Sequence, residues 1–253
     1  MNTDFLQLFD IDSRGGELVC LVGGGGKTTA MFALAGLLKR QGAKVLVTTT
    51  TNIFYPGEDR CGTVILDSSR DPALFSGIRP GTVTCLGAGL IQDKLKLKSV
   101  DPDFIDRLFH DAVFSHILVE ADGAKRKPIK APAAYEPVIP SRATRVIGVV
   151  GVDAIGTPLD DRHVHRPELF SQLTGRPPGA AITADDVACL VNEPAGLFKN
   201  APPACRRYLL LNKADDPEQI NLARDVAAAL RRLEAVPDGT VIAAVARGTA
   251  RRQ

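Results

Sequence analysis

The chain has 253 residues, a length for one large α/β domain or at most two small ones. Its 31 Lys and Arg against 29 Asp and Glu leave a net charge of +2, which excludes a global field for nucleic acid or an anionic membrane. With 45% hydrophobic and 24% charged residues, 23 Gly and 17 Pro, the composition excludes a low-complexity chain and predicts a sizeable core.

The N-terminus, MNTDFLQLFDID, is acidic and has neither the basic nor the apolar region of a secretory signal, so a cytoplasmic location is expected. No apolar run reaches the ~18 residues of a membrane span; the best, Val146 to Ile155, is short and holds Asp153. Beyond that start, short apolar runs alternate with helical stretches, the pattern of βαβ units and a mainly parallel sheet. Glu17 to Val22 reads as the first strand, Thr28 to Lys39 as a helix with Phe32, Leu34, Leu37 and Leu38 on its apolar face, and Lys44 to Thr48 as the second strand. Further strands are expected at Thr63–Leu66, Thr82–Leu86, His116–Val119, Arg145–Val150, Tyr208–Leu211 and Thr240–Ala243. Helices are expected at Pro102–Ala112, Ala184–Leu190 and Pro217–Leu233, each preceded by an Asp or Thr able to cap it. Two stretches, Ala121 to Ser141 and Gly151 to Arg166, read as long loops after strands, where open α/β sheets place ligands, and Arg247 to Gln253 reads as a frayed end. Five cysteines form no C-x-x-C pair and read as buried thiols, with neither a zinc site nor a disulfide framework expected.

The strongest chemical signal lies between the first strand and the first helix: Val22-Gly23-Gly24-Gly25-Gly26-Lys27-Thr28-Thr29. It reads as a P-loop of the short G-x-x-G-K-T-T form, since the longer form needs Gly where the chain has Leu21. Glycines let successive backbone N–H groups turn around phosphate oxygens, with the helix start adding positive potential. In that reading Lys27 reaches the β- and γ-phosphates and the Thr28 hydroxyl ligates Mg2+. The fold expected is therefore an α/β P-loop NTPase-like three-layer sandwich, with residues 1–253 as a single domain.

A strand ending in acids, His116-Ile117-Leu118-Val119-Glu120-Ala121-Asp122, supplies Glu120 and Asp122 on one face as candidate Mg2+ and catalytic carboxylates. Lys125, Arg126, Lys127 and Lys130 follow at once and read either as a local anion site or as ordinary loop solubility. Asn212-Lys213-Ala214-Asp215 ends another strand in N-K-x-D, a pattern that reads guanine: a carboxylate at Asp215 accepts from two N–H donors that adenine does not offer together. GTP is thus favoured over ATP. Thr50, within a run of four threonines, and His163, His165 and Arg166 are weaker substrate candidates, the H-x-H lacking a third ligand for metal.

Together, VGGGGKTT, TTTTNIF, VEADGAKRKPIKAP, YEPVIP, VHRPELF and LNKAD resemble the YqeC family, described as accessory proteins of selenium-dependent molybdenum hydroxylases and as selenium cofactor biosynthesis proteins. The resemblance runs from about residue 15 to about residue 245. It implies a maturation role in which selenium is inserted into, or made available for, a molybdopterin-containing hydroxylase, with that enzyme or its cofactor as partner. The residues themselves leave three readings open: an Mg2+-dependent GTPase or ATPase, a Mur-ligase-like or small-molecule kinase that phosphorylates an acid, and a nucleotide-controlled cofactor carrier without significant turnover. Neither nucleic acid nor membrane is an expected partner.

Overall fold

Strands buried on both faces carry apolar residues at nearly every position, and helices must then cover both sides of the sheet. The computed structural model, which describes residues 4–56, 60–233 and 237–253, shows that arrangement. Nine strands form one sheet: β1 (Glu17–Gly23), β2 (Lys44–Thr49), β3 (Thr63–Leu66), β4 (Thr82–Gly87), β5 (His116–Glu120), β6 (Arg145–Gly151), β7 (Arg206–Asn212), β8 (Gly239–Ala244) and β9 (Thr249–Arg252). Their order is β9-β8-β7-β6-β1-β5-β2-β4-β3. Every neighbouring pair is parallel except β8 with β9, which run antiparallel.

Alternation along β1 divides the core into two layers. Val19 and Leu21 face α1 (Lys27–Arg40) and the N-terminal turn, packing with Met31, Leu34, Leu38, Phe5 and Phe9. Leu18, Cys20 and Val22 face the other layer, built from α2 (Pro102–His110), α3 (Pro167–Thr174), α4 (Ala184–Asn192) and α5 (Pro217–Arg232). The result is the expected mainly parallel three-layer sandwich. The expected caps form as well. Asp101 accepts from the N–H of Asp103 at 2.9 Å, Asp216 from that of Gln219 at 2.9 Å, and Thr183 makes a reciprocal capping box with Asp186.

Two expectations are corrected. Residues 247–253 are not a frayed end: Val245–Arg247 forms a 3-10 turn and Thr249–Arg252 pairs with β8, Val241 opposite Arg252. All four residues of that strand are exposed, so no apolar periodicity marks it in the sequence. The two long loops also contain strand: Ile129–Lys130 pairs in parallel with Val164–His165, which joins one loop to the other. A second small sheet, Ile53–Phe54, Lys96–Leu97 and Leu90–Ile91, sets Phe54 opposite Lys96. Cys20, Cys85, Cys189 and Cys205 are free thiols, and no helix of the described residues is long and apolar enough to cross a membrane.

Candidate functional site

The carboxyl ends of β1, β5, β6 and β7 meet at one edge of the sheet, where Glu120 sits level with Leu21 and Thr49, and Asn212 with Gly151. The glycine loop after β1 crosses this edge under tight constraint. Gly23, Gly25 and Gly26 have φ of 91°, 80° and 118°, the left-handed region that side chains resist. A Cβ on Gly25 would also fall on the backbone of Gly151 and within 2.7 Å of the Pro128 carbonyl. The loop's first three N–H groups hold it to the protein: Gly23 donates to Asp122, Gly24 to the Val149 carbonyl at 2.8 Å, and Gly25 to the Lys127 carbonyl at 3.0 Å. Its far end differs. Gly26 caps α1, and no side chain accepts from the first-turn N–H groups.

Those residues line a cavity of about 470 Å³ that Gly25 to Thr29 share with Thr51–Phe54, Lys96, Glu120, Gly123–Arg126, Glu136, His165 and Lys213. Lys27 is buried in its floor, donating to the Gly23 carbonyl at 2.6 Å, with Asp122 at 3.2 Å and Glu120 at 3.7 Å. Burial works against the Lys27 ammonium, but the two carboxylates outweigh it and raise its pKa above the ordinary lysine value. The Thr28 hydroxyl donates to Glu120 at 2.7 Å. Burial pushes the Glu120 carboxyl up, against the opposing pull of Lys27 and Thr28. Hard oxygen donors of the kind Mg2+ takes, the Thr28 hydroxyl and the Glu120 carboxylate, are thus together on the cavity wall. No group of three or more His, Cys, Asp or Glu that could hold a metal ion occurs among the described residues.

Glu120 and Asp122 separate in role. Glu120 lines the cavity. Asp122 lies beneath the loop, 2% exposed, with both oxygens engaged: one pairs with Lys27, the other with Lys130 at 3.0 Å, and the Gly23 N–H reaches both. Lys130 continues the chain of charge to Glu136 at 2.7 Å, and Arg166 meets Glu136 from the other loop at 2.5 Å. Burial alone would raise the Glu136 carboxyl, but hydrogen bonds from Arg166 and Lys130 hold it below its ordinary value.

Asn212 ties the strand end to the loop, donating to the Gly25 carbonyl at 2.8 Å and accepting from the Val245 N–H at 3.1 Å. Lys213, at φ 62°, lines the cavity and pairs with Asp153 at 2.7 Å. Asp215 lies outside the cavity, in a neighbouring hollow with Ile220, Ile242 and Thr249, and its carboxylate faces Arg247 at 3.2 Å. Of the weaker candidates, Lys125, Arg126 and His165 line the cavity. Lys130 and Arg166 brace Glu136 behind it, Thr50 donates to the Val138 carbonyl at 2.6 Å, and His163 meets Asp160 at 2.7 Å. Sequence reasoning missed Phe54 and Lys96 as site residues, since two-residue strands leave no periodic signal, and Glu136, which lies in a loop. Phe54 and Glu136 each carry a hint, as parts of TTTTNIF and YEPVIP.

Comparison with known proteins adds two findings. A family model described as "YqeC protein" matches residues 19–168. The Escherichia coli (strain K12) protein named "Uncharacterized protein YqeC" is 36% identical over 198 residues, spanning 78% of this chain and 75% of its own.

Proposed function

The chain belongs to the YqeC family, and on that footing we propose that it is an Mg2+-dependent maturation factor that binds and hydrolyses a nucleoside triphosphate. GTP is the favoured nucleotide, and the role is assistance to selenium cofactor biosynthesis or insertion into a molybdenum hydroxylase. One observation carries the nucleotide part: a glycine cradle whose uncapped helix start, buried lysine, hydroxyl and carboxylate converge on one cavity. The selenium role rests on family resemblance.

In this reading the first-turn N–H groups of α1 and the Lys27 ammonium hold the β- and γ-phosphates. Thr28 and Glu120 hold Mg2+, which when bound neutralises phosphate charge. Asp122 acts on Lys27, positioning its ammonium from below the loop. Glu120 orients the attacking water, Lys213 in the cavity covers the base, and Asp215 in the neighbouring hollow accepts from its edge. The Asp215–Arg247 pair, with Arg247 67% exposed, is worth only about 0–1 kcal/mol, so guanine donors displace it at little cost.

Calorimetric titration with GTP and with ATP, each with Mg2+, tests the reading. GTP is expected to bind at least about tenfold tighter than ATP, Lys27→Ala to abolish binding, and Asp215→Ala to erase the preference. If ATP binds as well as GTP, the guanine assignment fails; if neither binds, the nucleotide reading fails. For the maturation role, cells carrying only the Lys27→Ala protein are expected to make a molybdenum hydroxylase without selenium, and a normal selenium content would overturn it.

A further inference from the structure

Most cations around the site are already neutralised. Lys127 pairs with Asp161, Lys130 with Asp122 and Glu136, Arg166 with Glu136, and Lys213 with Asp153. Lys96, Lys125 and Arg126, which line the cavity's mouth with the last two exposed, are different: no carboxylate among the described residues pairs with any of them. Two of them meet an aromatic ring instead. Arg126 Cζ lies 4.3 Å and Lys96 Nζ 4.9 Å from the ring centroid of Phe54, a residue 45% exposed. A cation on a ring keeps its full charge and most of its N–H donors, so this contact fixes position without neutralising.

The backbone here is also held in costly form. Lys125 and Arg126 are consecutive residues at φ 47° and 63°, a left-handed pair that persists only where surrounding structure imposes it. Three cations on one rim with no carboxylate partner among the described residues repel one another and lower their energy together when a multivalent anion arrives. His165, on the same cavity wall, adds no fourth charge. Burial, helped by Arg166, Lys130 and Lys125, holds its pKa down to about 4, leaving a neutral ring with one donor and one acceptor.

We propose that this mouth is a second-substrate subsite for a phosphomonoester dianion, held by Lys96, Lys125 and Arg126, with Phe54 as the platform that positions two of them. The Arg126 fork suits two phosphate oxygens, and the lysines supply point charges for the remainder. The subsite deepens the nucleotide reading, on which it rests for its neighbour: phosphate of the nucleotide at one end of the cavity, the second substrate's phosphate at the other.

The probe is phenyl phosphate, titrated calorimetrically into the full chain alone and after saturation with Mg2+ and a non-hydrolysable GTP analogue. Saturable binding is expected in both states, weakened roughly tenfold or more by Arg126→Ala and by Lys96→Ala, and less by Phe54→Leu. Inorganic phosphate is expected to compete and acetate not to. Phenyl phosphate that is displaced by the analogue and lost with Lys27→Ala would sit on the glycine loop and overturn the subsite. Affinity unmoved by both Arg126→Ala and Lys96→Ala would also overturn it, and equal displacement by acetate would overturn the phosphate assignment. Should the GTP analogue fail to bind while phenyl phosphate still depends on Arg126 and Lys96, the nucleotide reading fails and the subsite stands.

Discussion

Lys130 is 1% exposed, and a lysine tolerates that only when its charge is fully answered. Here Asp122 at 3.0 Å, Glu136 at 2.7 Å and the Gly123 carbonyl at 2.9 Å saturate it. Lys130→Met removes the cation and leaves two buried carboxylates, so a loss of about 3–5 kcal/mol is expected in urea unfolding; a loss under ~1 kcal/mol would mean the network carries little. Glu136 gives the same network a pH signature. Its folded pKa lies below the ordinary 4.5, so its stabilisation is present above that unfolded value and is lost as pH falls through the lower folded one. Glu136→Gln is therefore expected to flatten the decline of stability with acidification below about pH 4.5, measured by unfolding at several pH values. An unchanged acid limb would remove Glu136 from that role. Lys27 and Thr28 were readable from sequence because the glycines that mark them stand beside them in the same loop. Glu136 was not, because Lys130 reaches it within one loop but Arg166 reaches it only after the two loops pair.

At the scale of elements, the glycine loop makes a comparison between two glycines of nearly equal backbone angle. Gly25 at φ 80° and Gly42 at φ 84° both pay for a Cβ in the left-handed region, roughly 1–2 kcal/mol. Only Gly25 is crowded: a Cβ there meets Gly151 and Pro128, whereas nothing lies within 4 Å of one on Gly42. Gly25→Ala is thus expected to destabilise clearly more than Gly42→Ala in chemical denaturation, and equal losses would refute the tight seating of the loop. The first two strands and the helix between them followed the sequence closely, with observed bounds of Glu17–Gly23, Lys27–Arg40 and Lys44–Thr49. Long periodic runs announce themselves. The two-residue strands at Ile53–Phe54 and Lys96–Leu97 hold too few residues to show a period, so the element that brings Phe54 to the cavity was invisible in the sequence.

For the whole molecule, the antiparallel β9 closes one edge of the sheet and ties the chain's two ends together. Arg252 meets Asp10 at 2.9 Å, and Asp10 also accepts from Tyr208 at 2.7 Å, which holds its carboxyl below the ordinary range. A chain ending at Gly248 would expose the unpaired edge of β8, whose residues are buried. Lower thermal stability and concentration-dependent self-association by gel filtration are expected; a monomer of unchanged melting temperature would show that β9 neither stabilises nor protects that edge.

Sequence alone determined the α/β class, the loop between the first strand and helix, and the acidic strand end, because each depends on residue types at fixed short spacing. Tertiary structure alone decided that β5 and β6 flank β1, that Glu120 faces the cavity while Asp122 turns beneath the loop, and that Asp215 stands outside it. Which strand lies beside which is settled by burial of both sheet faces over the entire chain, a sum that no local spacing encodes. The cations at the mouth follow from the same cause: Lys96 and Arg126 are distant in sequence and share one ring only because the small sheet sets Phe54 opposite Lys96 at the cavity.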